Sequence, residues 1–118
     1  MYEIRFYKDR QGKSPIIEYL KKLRNSKNER ERKQAEKIND YIQLLKEEGK
    51  ASGLPYVKHV TGEIWELRPS KDRILFFSWV ENQLVLLHHF TKKTQKTPKR
   101  EIERALKEIE EVKERESK

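Results

Sequence analysis

Apolar positions change from alternating to helical spacing and back along the chain, and this order of patterns predicts an α+β fold. Residues 2–7 alternate between charged and apolar side chains, which predicts a first strand with Ile4 and Phe6 on one face. Ser14 and Pro15 form a helix start signal, because serine caps a helix and proline suits its first position. A short helix follows, with apolar residues at helical spacing: Ile16, Leu20 and Leu23.

A longer amphipathic helix is predicted after a polar stretch. It begins near Asn28, and Gly49 supplies its stop. Its apolar residues recur at three- and four-residue steps: Ala35, Ile38, Ile42 and Leu45. The two helices predict a hairpin that packs on a flat surface, and the residues between Gly53 and Gly62 are expected to form a loop.

The middle third of the chain predicts a three-strand antiparallel meander. Residues 64–68, 73–80 and 84–90 are rich in aromatic and branched apolar side chains, and two short turns separate them. Thr97 and Pro98 then repeat the helix start signal. An apolar stripe predicts a terminal helix and consists of Ile102, Ala105, Leu106, Ile109 and Val112.

These elements predict one domain over residues 1–118. It consists of an N-terminal strand, a helical hairpin, a three-strand meander and a C-terminal helix. The length of the chain agrees, because 118 residues are enough for one hydrophobic core and too few for two.

The first turn of the meander determines which side chains share a face. Whether the turn uses two residues or four, Arg68 stands opposite Arg73, and Trp65 opposite Phe76. The aromatic pair then faces the helical hairpin, while Glu66 and both arginines share the other face. Two opposed arginines repel each other, so the pair is expected to hold an anion, or Glu66, between them. The alternative is an exposed pair that solvent and Glu66 screen.

The third strand ends in a histidine pair followed by lysines. A two-residue second turn places His88 on the arginine face and His89 towards the core, whereas a three-residue turn or a bulge reverses the two. Hydrogen-bonded histidines at a sheet margin are the alternative to a catalytic role. With His59 as the third histidine and no thiolate available, no metal site is expected.

Composition narrows the class of partner. The 28 lysines and arginines exceed the 20 acidic residues, and the net charge of +8 favours nucleic acid, an anionic membrane surface or an acidic protein. The chain has no cysteine, which is compatible with the reducing cytoplasm. No apolar segment suits a signal peptide or a membrane span, so no membrane-spanning role is expected.

Three segments make the chain resemble the HigB-type branch of the RelE-like toxins, which belong to bacterial toxin–antitoxin systems and include phage-derived relatives. The segments are residues 62–68 (GEIWELR), Arg73 at the start of the next strand, and residues 86–98 (LLHHFTKKTQKTP). The resemblance extends over nearly the whole chain. It departs from the family pattern at His89, where members often carry glycine.

The resemblance implies a toxin that acts as an mRNA interferase, because such toxins are small ribonucleases that commonly cut mRNA in the ribosomal A site. It implies a metal-independent endoribonuclease without a cofactor, which inhibits translation in the bacterial cytoplasm. It also implies a RelE-like sheet with helices on one side. The implied partner is a HigA-type helix-turn-helix antitoxin that silences the toxin in a hetero-oligomer.

The resemblance also assigns residues. Arg68, Arg73 and Lys93 match the basic positions that these toxins use for RNA binding and cleavage, and Lys92 and Glu66 are adjacent candidates. RNA contacts are expected from Lys58, Arg68, Arg73, Lys92, Lys93 and Lys96.

The chemistry needs few groups, because the 2′-hydroxyl of RNA serves as its own nucleophile. The protein must help to deprotonate that hydroxyl, stabilise charge on the phosphate and assist the departing 5′-oxygen. The permanently charged arginines suit charge stabilisation. The candidate bases are Glu66, Lys92 and Lys93; the candidate acids are His88 and the same two lysines. The alternatives are a noncatalytic module that blocks translation by binding RNA or the ribosome, and a protein whose charge matches an acidic partner.

Overall fold

A five-stranded mixed sheet forms the centre of the computed structural model, which describes residues 1–116. The strands are β1 (Glu3–Phe6), β2 (Val57–Thr61), β3 (Ile64–Leu67), β4 (Asp72–Ser78) and β5 (Gln83–Thr91). Their order across the sheet is β1-β5-β4-β3-β2. β1 runs parallel to β5, and the other neighbouring pairs are antiparallel. The predicted α+β class is confirmed.

Three helices pack on this sheet: α1 (Pro15–Arg24), α2 (Glu29–Glu48) and α3 (Lys99–Glu116). The first two begin as predicted, because the side chains of Ser14 and Asn28 each accept a hydrogen bond from a backbone N–H of the first turn. Gly49 ends α2 with a φ of 61°, which glycine adopts without strain. A short 3₁₀ turn follows over Gly49–Ser52. Within residues 1–116, no helix has both the length and the apolar character that crossing a bilayer demands.

Helices cover both faces of the sheet. On the face that we call the hairpin face, Ile74 and Phe76 pack in a core with α1 and α2. On the opposite face, the α3 face, Leu75 and Phe77 pack in a second core with α3. The expectation of helices on one side is therefore wrong. β4 and β5 are apolar at successive positions, and such strands need cover on both faces.

β2 is a strand where the sequence predicts a loop. It lies at the edge of the sheet, and Val57 is its only buried residue. A short edge strand with exposed side chains lacks the apolar pattern that identifies a strand, and Gly53 and Gly62 on either side indicate turns. The meander therefore has four strands, and the strand order differs from the predicted arrangement.

α3 buries a stripe that differs from the predicted one. The stripe consists of Ala105, Glu108, Ile109 and Val112. Leu106 was expected to belong to it but is 50% exposed. Glu108 lies on the buried side because its carboxylate has a partner there, His88 of β5. A pattern of apolar residues cannot predict a buried polar pair of this kind.

Two irregularities determine on which face of the sheet the side chains of β5 lie. After the second irregularity, their effects on this placement cancel. The turn between β4 and β5 has three residues, because Trp79 donates its backbone N–H to the Gln83 carbonyl across it. A bulge then adds one residue to β5, because Phe76 pairs with Leu86 whereas the preceding residue of β4 pairs with His88. His88 consequently lies on the α3 face, where a regular two-residue turn also places it.

Candidate active site

Glu66 lies between two arginines on the α3 face. The register is the predicted one, with Trp65 opposite Phe76. Because side chains alternate along a strand, Glu66 and Arg73 both lie on the face opposite to that pair. The Oε2 atom of Glu66 lies 3.6 Å from the Nε atom of Arg68 and 3.8 Å from that of Arg73. Glu66 and Arg73 are buried, and 18% of the Arg68 side chain is exposed. The fold thus brings together the three residues that the register predicts, and we call them the arginine cluster.

The turn between β3 and β4 holds the guanidinium group of Arg73. Its Nη1 atom donates to the carbonyl oxygens of Ser70 at 2.8 Å and Asp72 at 2.9 Å. Its buried Nε atom has no hydrogen-bond partner within the described part of the chain. Burial, and then the positive charge of Arg68, lower the pKa of Arg73, yet arginine stays protonated in proteins. Arg73 is therefore a fixed cation with spare hydrogen-bonding capacity, which suits an anionic ligand.

The loop between β5 and α3 lies over the arginine cluster. The Thr97 hydroxyl donates a hydrogen bond of 3.2 Å to the Oε1 atom of Glu66, so both carboxylate oxygens have partners. Thr97 lies two residues before the start of α3, as the predicted start signal indicates, but its hydroxyl binds Glu66. A narrow crevice is lined by Glu66, Arg73, Phe90, Lys92, Gln95, Lys96 and Thr97.

The arginine cluster affects the pKa of Lys92. Partial desolvation, followed by the positive charges of Arg73 and Arg68, lowers the pKa of Lys92, and Glu66 opposes the shift. The backbone N–H of Lys92 donates to the Lys71 carbonyl at 2.8 Å, which fixes the start of the loop. A lowered pKa makes it easier for the amine to lose its proton, so Lys92 is a candidate for proton transfer.

The other predicted lysines lie at different places around the cluster. Lys58 of β2 stands directly opposite Glu66 of β3 in the sheet register. Its charge contributes to the lowered pKa of Lys92. Lys96 lines the crevice. Lys93 instead lines an adjoining cavity of about 760 Å³ beside the start of α3. The structure therefore groups Lys58, Lys92 and Lys96 with the arginines and leaves Lys93 to one side.

His88 is enclosed and does not join the arginine cluster. It is fully buried beneath α3, with its Nδ1 atom 2.5 Å from Glu108 Oε1 and its Nε2 atom 3.0 Å from Glu101 Oε1. Both ring nitrogens are occupied, and no part of the ring is exposed. This placement contradicts a role as general acid, because such a residue must reach the leaving group.

The three histidines lie in three different environments. His59 on the edge strand has its Nε2 atom 2.9 Å from the Gly62 carbonyl oxygen. His89 lies on the hairpin face, where its ring stacks on Tyr19 with the centroids 3.7 Å apart. Burial lowers the pKa of His89, which favours its neutral form. Since His88 is enclosed under α3, these three residues do not form a shared metal site.

A family comparison adds to this geometry. The family model described as phage derived protein Gp49-like (DUF891) matches residues 16–110, a range that includes the arginine cluster and its loop. The chain belongs to this family. The Gp49-like family is a RelE/HigB-like toxin family, commonly found as toxins of toxin–antitoxin systems. The comparison with curated proteins gives no match.

In this Gp49-like chain, side chains on the hairpin face of the sheet anchor the turn that holds Arg73. Asp72 is buried there, and its carboxylate accepts hydrogen bonds from Tyr19 and Gln34 at 2.9 Å and from Thr91 at 3.2 Å. Burial, and then the bond to Asp72, raise the pKa of Tyr19, which keeps its hydroxyl a donor. Gln34 also donates to a carbonyl oxygen of the same turn. α1 and α2 thus position the turn whose carbonyl oxygens bind Arg73. No pattern in the sequence marks Asp72 for this role, and the helix start signal at Thr97 does not indicate its contact with Glu66.

Asp72→Ala is expected to lower the free energy of unfolding by about 2–4 kcal/mol, because three donors lose their buried acceptor. Chemical denaturation followed by circular dichroism measures the change. Asp40→Ala is the matched control, because Asp40 is exposed on α2, and its loss should change the stability by less than about 0.5 kcal/mol. Equal losses in the two variants would contradict an anchoring role for Asp72.

Proposed function

We propose that this Gp49-like chain is a HigB-type toxin of a type II toxin–antitoxin system and acts as an mRNA interferase, an endoribonuclease that inhibits translation. The observation that carries the proposal is the arginine cluster beside Lys92. One carboxylate stands among several cations at a crevice, so the site keeps an excess of positive charge. Guanidinium groups bind phosphate oxygens well, and the phosphodiester of RNA supplies them.

The cluster supplies groups for cleavage with the substrate's own nucleophile. The 2′-hydroxyl gives its proton to the neutral amine of Lys92 and attacks the adjacent phosphorus, while the bond from phosphorus to the 5′-oxygen breaks. Arg68 and Arg73 stabilise the negative charge that gathers on the phosphate oxygens. The departing 5′-oxygen takes a proton from Lys93 or from water. The products are a 2′,3′-cyclic phosphate and a 5′-hydroxyl end.

Glu66 has a positioning role in this proposal. Its two carboxylate oxygens are occupied by Thr97 and by the paired arginines, so it holds the guanidinium groups close together. Without its charge the two arginines would repel each other more strongly. Lys92 is therefore a better general base than Glu66.

We further propose that the target is mRNA on the ribosome in the bacterial cytoplasm. The net charge of +8 supports a polyanionic target. The membership of a toxin family supports an antitoxin partner, which we expect to be a HigA-type helix-turn-helix protein in a hetero-oligomer.

Cleavage of a defined, end-labelled mRNA with and without programmed ribosomes tests this function. We expect new 5′-hydroxyl ends when ribosomes are present. An mRNA with a 2′-deoxy nucleotide at the cut site should stay intact, because it lacks the nucleophile. Blocked translation with intact mRNA would identify a noncatalytic binding module, and neither cleavage nor blocking would refute the proposal.

A further inference from the structure

A groove next to the arginine cluster is not used by the chemistry described above. Its volume is about 280 Å³, and it is lined by Lys58, His59, Val60, Glu66, Gln95, Lys96, Thr97 and Ile102. β2 and β3 form one side, and the loop after β5 with the first turn of α3 forms the other. The groove begins at Glu66 and Thr97, which also line the crevice of the cluster. A group that occupies it lies next to the phosphate that the arginines would bind.

The size and lining of the groove suit one flat polar ring. Pockets that enclose drug-sized ligands measure about 300–1,000 Å³, so this groove has room for a single small unit. Val60 and Ile102 are both partly buried and offer apolar surface. Lys58 and Lys96 add positive charge beside it. Together, they match a nucleotide, which combines an apolar ring face with a charged phosphate.

Gln95 is an uncharged lining residue whose side-chain hydrogen-bonding groups are unused. Its side chain is exposed and has no hydrogen-bond partner among the residues that the structure describes. A glutamine amide offers two donors and an acceptor, a combination that can bind a base edge in two places at once. Thr97, by contrast, already donates its hydroxyl to Glu66.

We propose that this groove holds the base of the nucleotide adjacent to the scissile phosphate and that Gln95 determines which base is preferred there. The inference rests on the proposed ribonuclease function and extends it to a recognition site. The base packs between Val60 and Ile102, Gln95 binds its edge, and Lys58 and Lys96 bind the flanking phosphates. Gln95 is thus a specificity-determining residue, separate from the groups that transfer protons or stabilise charge.

Single-turnover cleavage of four mRNAs tests the proposal, with each mRNA carrying a different base next to the cut and bound to programmed ribosomes. The wild-type chain should favour its best base over its worst by about tenfold or more in kcat/KM. Gln95→Ala should bring that ratio close to one, mainly by slowing cleavage at the best base. Gln11→Ala is the matched control, because Gln11 is an exposed glutamine in a loop outside the groove, and it should keep the wild-type ratio.

The outcomes separate this inference from the function on which it rests. If the wild-type chain cuts but Gln95→Ala keeps its base preference, the recognition site is wrong and the ribonuclease function stands. A wild-type chain that cuts the four mRNAs equally also overturns the recognition site alone. If the wild-type chain cuts none of them, with or without ribosomes, the function and the inference both fail.

Discussion

Arg73→Ala is expected to slow cleavage of ribosome-bound mRNA by about 10²–10³-fold, because it removes a buried cation that stabilises the charge on the phosphate in the transition state. The loss should fall mainly on kcat. Arg73→Lys keeps the charge but not the planar fork of donors, so it should recover only part of the activity. Expression of Arg73→Ala without an antitoxin should no longer arrest growth.

The effect of Arg73→Ala must be separated from a loss of folding. Thermal unfolding of the variant measures its stability, and Arg73→Lys covers the case in which the alanine variant does not fold. Arg10→Ala is the matched control, because Arg10 is exposed in a loop and its removal lowers the net charge by the same amount. If a folded Arg73→Ala protein cuts at the wild-type rate, the arginine cluster is not the active site.

Lys92→Arg is expected to abolish most cleavage while preserving RNA binding. Arginine keeps the positive charge but does not release a proton, so a general base is lost and a phosphate contact is retained. The rate should fall by about 10²–10⁴-fold, the usual contribution of a positioned acid or base. Binding to ribosomes that carry the 2′-deoxy mRNA should change by less than about twofold. Lys22→Arg, on the exposed side of α1, is the control.

The pH dependence of cleavage gives a second measurement on Lys92. A general base acts in its neutral form, so kcat/KM should rise with pH through the lowered pKa of Lys92. Glu66→Gln removes a charge that raises this pKa and should move the profile to lower pH. Arg68→Ala removes a charge that lowers it and should move the profile to higher pH. A Lys92→Arg protein that cuts with the wild-type profile would exclude Lys92 as the base.

Local sequence patterns predicted much of the fold and part of the site. The start signal at Ser14 is a helix cap in the structure, because capping depends on neighbouring residues, and the second helix begins near Asn28 as predicted. The pairing of Trp65 with Phe76 was predictable too, since a short turn allows few registers. Side-chain alternation then placed Glu66 among the arginines without any knowledge of the rest of the chain.

Contacts between segments that are distant in the chain could not be predicted from the sequence. The polar edge strand β2 lacks an apolar pattern, and its pairing with β3 makes it a strand. Thr97 reaches Glu66 across 31 positions, and Gln95 enters the groove because the same loop lies over β3. A hydroxyl or an amide in a polar loop carries no local signal of such a contact.

Within this chain, the sequence by itself determined the α+β class, the cap of the first helix and the face on which the arginine cluster lies, because each depends on residues close together in the chain. Only the tertiary structure decided that α3 covers the opposite face of the sheet and encloses His88 between Glu101 and Glu108. It also brought Lys92 close enough to the arginines for their charge to lower its pKa. Burial and electrostatic interaction both depend on distances through space, which sequence spacing does not reveal.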